Sequence, residues 1–193
     1  DAAVTRLPAA ADPRTGMSIE ALELATREGR VAACLLVPNA SNPLGSIMPD
    51  DHKRRLARLT AARGVAVIED DIYGDLHFGK ERPWPIKAFD RAGNVMLCSS
   101  FSKSLSPALR LGFVAAGRYR SQVALHKTVS SGGTNPITQT VLAEYLESGA
   151  YERHLRTLRR AYQQQVAALA AAVSRHFPAA TRLTEPQGGF VLW

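Results

Sequence analysis

The stretch VAVIEDD, residues 65–71, opens on four apolar residues and closes on three acids. A continuous apolar run of this kind suits a strand buried on both faces, as in a parallel sheet. Outward from it the same grammar repeats. Before it, MPDDHKRRLARLTAARG (48–64) predicts a helix with acids in its first turn and Gly64 beyond its end. Before that, VAACLLV (31–37) is another buried strand, followed by the turn-rich VPNASNPLG (37–45). SIEALELATREG (18–29) is a helix capped by Ser18 and stopped by Gly29.

On the other side, VMLCSSF (95–101) and LGFVAAG (111–117) are two more strands. Helices follow over RYRSQVALHKTVSS (118–131), NPITQTVLAEYLESG (135–149) and AYERHLRTLRRAYQQQVAALAAAVSRHF (150–177). Strands alternating with helices define an α/β fold with a mostly parallel sheet flanked by helices. PAATRLTEPQ (178–187) then connects to GGFVLW (188–193), which has the look of a strand starting a second unit.

Composition narrows the class. At 193 residues, 46% hydrophobic and 21% charged, the chain can bury a real core and has the balance of a soluble globular protein. Its apolar runs are too short to span a bilayer. Residues 1–16, DAAVTRLPAAADPRTG, carry no basic start and apolar stretch of a signal peptide. The absence of an initial Met and the ending GGFVLW are those of a fragment of a longer protein. Cys34 and Cys98 each fall in a strand-like run, as buried structural thiols do, and a reduced, cytoplasmic setting fits them. The five histidines show no ligand spacing, so no metal site is expected. The net charge is +7, with Arg153, Arg156, Arg159 and Arg160 at helical spacing. Without aromatic interleaving, these arginines read as a solvated helix face rather than a nucleic-acid footprint.

Ligands of open parallel sheets gather at the carboxyl ends of the strands. There the sequence places Asn42, then Asp70, Asp71 and Tyr73, then Ser99, Ser100, Ser102 and Lys103, with Arg110 close behind. Taken singly, each has a plainer role: a turn, a cap, a core aromatic, a surface cation. Together they fit pyridoxal phosphate. Its aldehyde takes a lysine amine and its pyridine nitrogen a carboxylate. Its ring hydroxyl takes a phenol and an amide, and its phosphate takes hydroxyls and an arginine.

The motifs that carry this set are SNPLG (41–45), EDDIYGDL (69–76) and SFSKSLSPALRLG (100–112). They resemble the Asn-Pro-x-Gly, Asp-x-x-Tyr and Ser-x-Ser-Lys…Arg motifs of the fold type I, aspartate-aminotransferase-like family of pyridoxal-phosphate proteins. The intervals of 28 residues from Asn42 to Asp70 and 33 from Asp70 to Lys103 are also similar to that family's. The resemblance runs from about Ser18 to Trp193. It implies that Lys103 supplies the covalent anchor and later shuttles the proton, and that Asp70 pairs with the pyridine nitrogen. Tyr73 and Asn42 would bond the ring oxygen; Ser100, Ser102 and Arg110 would hold the phosphate. Asp71 maps to no cofactor contact and reads as structural. In the family, a phosphate loop and a ring-stacking aromatic precede this segment, and a substrate-binding arginine follows it. The resemblance therefore divides the chain into a partial cofactor-binding large domain (1–148) and a connecting helix with the start of a small α+β domain (149–193), and implies a homodimer.

CLLVPNASNPLGSIMP (34–49), IEDDIYGDLHF (68–78) and HLRTLRRAYQQQ (154–165) look most like the MocR branch of the GntR-type regulators. There an aminotransferase-like domain, joined to a DNA-binding winged helix-turn-helix, senses pyridoxal phosphate or an amino compound. That makes this chain the effector part of a transcription factor that reaches DNA through another domain. The same segments also resemble free-standing aminotransferases that move an amino group between an amino acid and a 2-oxo acid. Both share the chemistry residues, so the site leaves enzyme or sensor open.

Overall fold

The computed structural model describes residues 11–27 and 31–193. Residues 1–10 and the helix stop expected at Gly29 lie outside the described residues. A short antiparallel ribbon, β1 (Ala11–Asp12) and β2 (Gly16–Met17), leads into α1 (Ile19–Thr26). The Ser18 hydroxyl caps α1 by accepting the Ala21 amide at 3.1 Å. Ile19, Leu22 and Thr26 fall on one helical face and are buried.

The main sheet has the order β3-β4-β5-β6. β3 (Ala33–Leu36), β4 (Ala66–Asp70) and β5 (Val95–Ser100) run parallel, and β6 (Gly112–Ala115) is antiparallel to β5. Between β3 and β4 the chain crosses over through α2 (Asp50–Ala62). Lys53, Leu56, Ala57 and Thr60 recur at helical spacing and turn α2's buried face to the sheet. Leu56, Val67, Ile86 and Val95 are wholly enclosed in the core that α1, α2 and the sheet make together. Each such side chain contributes about 1.5–3 kcal/mol by leaving water.

The strands are less enclosed than their apolar runs predict. In β3, Cys34 and Leu36 face the core while Leu35 is 70% exposed, and β6 is exposed along its length. The described helices α1 and α2 cover one face, so burial alternates along the strand. Cys34 is buried and its thiol is pushed up to about 11 by burial; Cys98 is half-buried.

Three helices complete the chain: α3 (Arg120–Ser131), α4 (Pro136–Glu147) and α5 (Ala150–His176). α5 sets Tyr151 and Leu155 into a second cluster with Ala40, Tyr73 and Leu76, at the carboxyl ends of the parallel strands. No described helix is long and apolar enough to cross a membrane.

GGFVLW forms no regular strand. The Gln187 amide donates to the Gly45 carbonyl at 3.0 Å, the Phe78 amide to Gln187 at 2.9 Å, and the Gly189 amide to Leu76 at 2.9 Å. His77 and Gly188 make one isolated bridge. The segment thus wedges between the loops that follow β3 and β4. Gly188 is required there, since a Cβ would fall 2.9 Å from the Leu76 carbonyl oxygen.

Candidate functional site

Strand register brings the candidate residues together. Asp70 ends β4 and is paired with Cys98 on β5. Two residues further along β5, Ser100 is paired with Gly112 of β6. Asn42 stands in the loop after β3, whose last residue pairs with Glu69. Asn42, Asp70, Ser100 and the turn bearing Lys103 therefore all lie at one end of the sheet, where a ligand of an open parallel sheet is expected.

The turn after β5 is built by its hydroxyls. Ser100 Oγ donates to Ser102 Oγ at 2.9 Å and accepts the Ser102 amide at 3.0 Å. The Phe101 amide donates to the Leu111 carbonyl at 3.1 Å, closing the loop onto β6. Arg110 takes a left-handed conformation, with φ 50° and ψ 37°, before the chain enters β6. That conformation is costly for a side chain bearing a Cβ and is found where a site holds it in place. Lys103 and Arg110 are exposed, and neither side chain bonds a described residue.

Asp70 is half-buried, and burial raises its carboxyl above the ordinary 3.8, opposed by the Ile72 amide. A cationic partner would reverse that shift. Tyr73 is buried at 5% exposure, its ring edge-on to Phe190 at 5.7 Å between centroids. Phe190, on the wedged C-terminal segment, is a neighbour that sequence reasoning missed.

Sequence reasoning also missed the polar network behind the site. Asp71, read only as structural, is its hub. Asn39 Nδ2 donates to Asp71 Oδ1 at 2.7 Å, and Lys53 Nζ donates to Asn39 Oδ1 at 2.8 Å. Arg82 bridges Asp71 Oδ2 and Asp75 Oδ1, both at 2.6 Å. Ser99 Oγ donates to the Asp71 carbonyl at 3.1 Å. Lys53 is fully buried, and that burial lowers its amine's pKa despite the acids around it. Buried charges persist when paired and hydrogen-bonded, as here. The network fixes the backbone on which Asp70 and Tyr73 stand.

The donor set fits pyridoxal phosphate on chemistry. It has a carboxylate able to meet a pyridinium, a hydroxyl pair and, at the far end of the same turn, an arginine for a phosphate, a primary amine, and a phenol and an amide in the loops after the neighbouring strands. Among the described residues no group of His, Cys, Asp and Glu is arranged to hold a metal ion.

A sheet of this topology, with these groups at its carboxyl end, is that of an aminotransferase large domain. The chain belongs to the aminotransferase class I and II family, which it matches over residues 1–193. It is 43% identical over 182 residues to the HTH-type transcriptional regulator YjiR of Escherichia coli, covering 94% of this chain and 39% of that protein. It is 39% identical over 187 residues to the HTH-type regulator YdcR of the same organism, covering 97% and 40%. Among solved structures, it is similar to the α-aminoadipate aminotransferase LysN of Thermus thermophilus, complexed with N-(5'-phosphopyridoxyl)-L-leucine. There the TM-score is 0.86 at 31% identity, covering 95% of this chain and 48% of that one. The chain thus spans less than half the length of each.

Proposed function

We propose that this chain is the pyridoxal-phosphate-binding, aminotransferase-like effector part of a GntR/MocR-type regulator, which binds DNA through a domain outside the chain. The observation that carries this reading is the match to two HTH-type regulators over nearly the whole chain, at 43% and 39% identity. Residues 1–148 form the cofactor-binding unit, and residues 149–193 the connecting helix and the beginning of a smaller domain. The protein works in the cytoplasm as a homodimer, and its effector is the cofactor itself or a small amino compound.

When bound, the group supplies an electron sink conjugated to the amine it holds. Asp70 keeps the pyridine nitrogen protonated through its negative charge. Tyr73 and Asn42 bond the ring oxygen. Ser100, Ser102 and Arg110 hold the phosphate, and Lys103 provides the covalent anchor and a proton carrier. Effector binding then shifts the balance between DNA-binding states.

Borohydride reduction of the intact protein with pyridoxal phosphate tests the anchor. The label is expected on Lys103 and lost in Lys103→Ala; undiminished labelling of that variant refutes the assignment. Cofactor-dependent DNA binding without amino transfer supports the regulator. A second reading, an aminotransferase, rests on the likeness to LysN. Robust turnover with a panel of amino acids and 2-oxo acids would establish it instead.

A further inference from the structure

α5 holds the lysine-bearing turn at two points one helical turn apart. His154 Nε2 lies 2.9 Å from the carbonyl oxygen of Ser104, the residue that follows Lys103. The Tyr151 hydroxyl lies 2.7 Å from Ser104 Oγ and donates to Asp75 Oδ2 at 3.1 Å. A phenol has one proton and a carboxylate only accepts, so the Tyr151 proton goes to Asp75 and the Ser104 hydroxyl donates to Tyr151. Burial and the nearby Asp75 charge raise the Tyr151 phenol above its ordinary value, which keeps that proton in place.

Asp75 is itself fixed. Its other carboxylate oxygen takes Arg82 Nε at 2.6 Å, and its carbonyl takes Arg159 Nε, from the next turns of α5, at 2.6 Å. Asp75 is two residues beyond Tyr73. Ser104 and Tyr151 are 2% and 7% exposed, so water does not compete freely for these bonds. A single phenol oxygen therefore ties together the turn that presents Lys103, the loop that presents Tyr73, and the helix leading to the C-terminal segment.

We infer that Tyr151 is a positioning residue for Lys103: the Ser104–Tyr151–Asp75 bridge sets the orientation of the lysine turn towards the cofactor and couples it to α5. The inference rests on the reading that Lys103 anchors pyridoxal phosphate. Tyr151→Phe removes only the bridge, because the ring keeps its edge contacts with Phe101 at 5.8 Å and Tyr145 at 6.5 Å. Freed from its acceptor, Ser104 loosens the turn, and Lys103 spends less time in the orientation that meets the cofactor.

The test uses the intact protein with pyridoxal phosphate as the probe. The wild type is expected to give a borohydride-trapped label on Lys103 and an induced circular dichroism band from the bound cofactor. In Tyr151→Phe, cofactor affinity is expected to fall about three- to tenfold, the range for one buried hydrogen bond. At saturating cofactor the dichroism band should also fall by about half or more, a change of orientation that a loss of stability alone would not produce. Ser104→Ala should reproduce both effects, and the double variant should add little, since both changes break the same bridge. Ser104→Ala keeps the test open should Tyr151→Phe not fold. Wild-type affinity and dichroism in the variants overturn the inference alone. A wild type that traps no label on Lys103 overturns both the inference and the reading beneath it.

Discussion

Ser100 and Gly112 stand opposite one another in the antiparallel pair of β5 and β6. The pairing is close: a Cβ on Gly112 would fall 2.6 Å from the Ser99 carbonyl oxygen and 3.5 Å from the Ser100 side chain. Gly112→Ala must therefore push β6 away from the strand that carries the hydroxyl pair. We expect a loss of about 1–3 kcal/mol of stability, as for other overpacked sites, read by urea denaturation. Cofactor affinity should fall with it, because Ser100 Oγ also reaches the Leu111 carbonyl at 3.3 Å and moves with that edge.

Arg110 separates folding from binding. Its left-handed backbone costs about 1–2 kcal/mol for an L-residue, which glycine largely avoids at some entropic cost. Arg110→Gly is expected to leave stability unchanged or raise it by up to about 1 kcal/mol. Pyridoxal-phosphate affinity should fall by about tenfold or more, since charge-assisted bonds to a phosphate contribute about 1.5–3 kcal/mol. Thermal denaturation and a cofactor titration on the same variant check the two opposed outcomes. An affinity equal to wild type would remove Arg110 from the phosphate site.

The elements most legible in the sequence were those whose burial is local. Ser18, the α2 periodicity and the apolar runs of β3, β4 and β5 each announce themselves within a dozen residues. The site motifs at the strand ends were legible for the same reason, since strand order alone brings Asn42, Asp70 and Ser100 to one end. The reversal of β6 had a signal too: residues 101–111 are too few for the crossover a parallel neighbour needs. The network of Lys53, Asn39, Asp71 and Arg82 had none. Its members are far apart in sequence and are polar types that ordinarily face water, so only the folded chain shows Lys53, Asn39 and Asp71 buried together with Arg82 closing over them from the partly exposed side. The wedge of residues 187–190 was hidden likewise, because its contacts are backbone bonds to distant loops.

Asp71 is expected to be the most sensitive of the network residues. Its side chain is 1% exposed and receives Asn39 Nδ2 on one oxygen and Arg82 Nη2 on the other. Asp71→Asn keeps the shape but turns one acceptor into a donor, facing either an amide or a guanidinium donor. It also removes one of the negative charges around buried Lys53, which keeps Asp50 Oδ1 at 3.9 Å. Removing one partner of a buried pair costs about 3–5 kcal/mol, and the partly exposed Arg82 puts this case near the lower end. An unfolding free energy from urea denaturation within about 0.5 kcal/mol of wild type would show that the carboxylate charge is not required there.

Glu69 gives the chain a pH dependence opposite to that of an ordinary paired carboxylate. It is fully buried between β3 and β5, accepts the Ile86 and Lys87 amides at 2.6 and 2.9 Å, and is raised from 4.5 to about 7 by burial, which outweighs those bonds. Between pH 4.5 and about 7 the native state thus holds a proton that the unfolded chain releases. Stability falls with pH wherever the native state binds more protons. The contribution of neutral Glu69 is complete below pH 4.5 and is lost as pH rises through about 7. A shift of this size corresponds to about 3 kcal/mol. Asp90, lowered by the Val95 and Asn94 amides despite partial burial, pulls the other way, but only at pH values below its ordinary 3.8. Urea denaturation of wild type and Glu69→Gln from pH 5 to 8 isolates the effect. The glutamine stays neutral and still offers one acceptor oxygen, so its curve should be flatter by about that amount, and parallel curves would place the titration elsewhere.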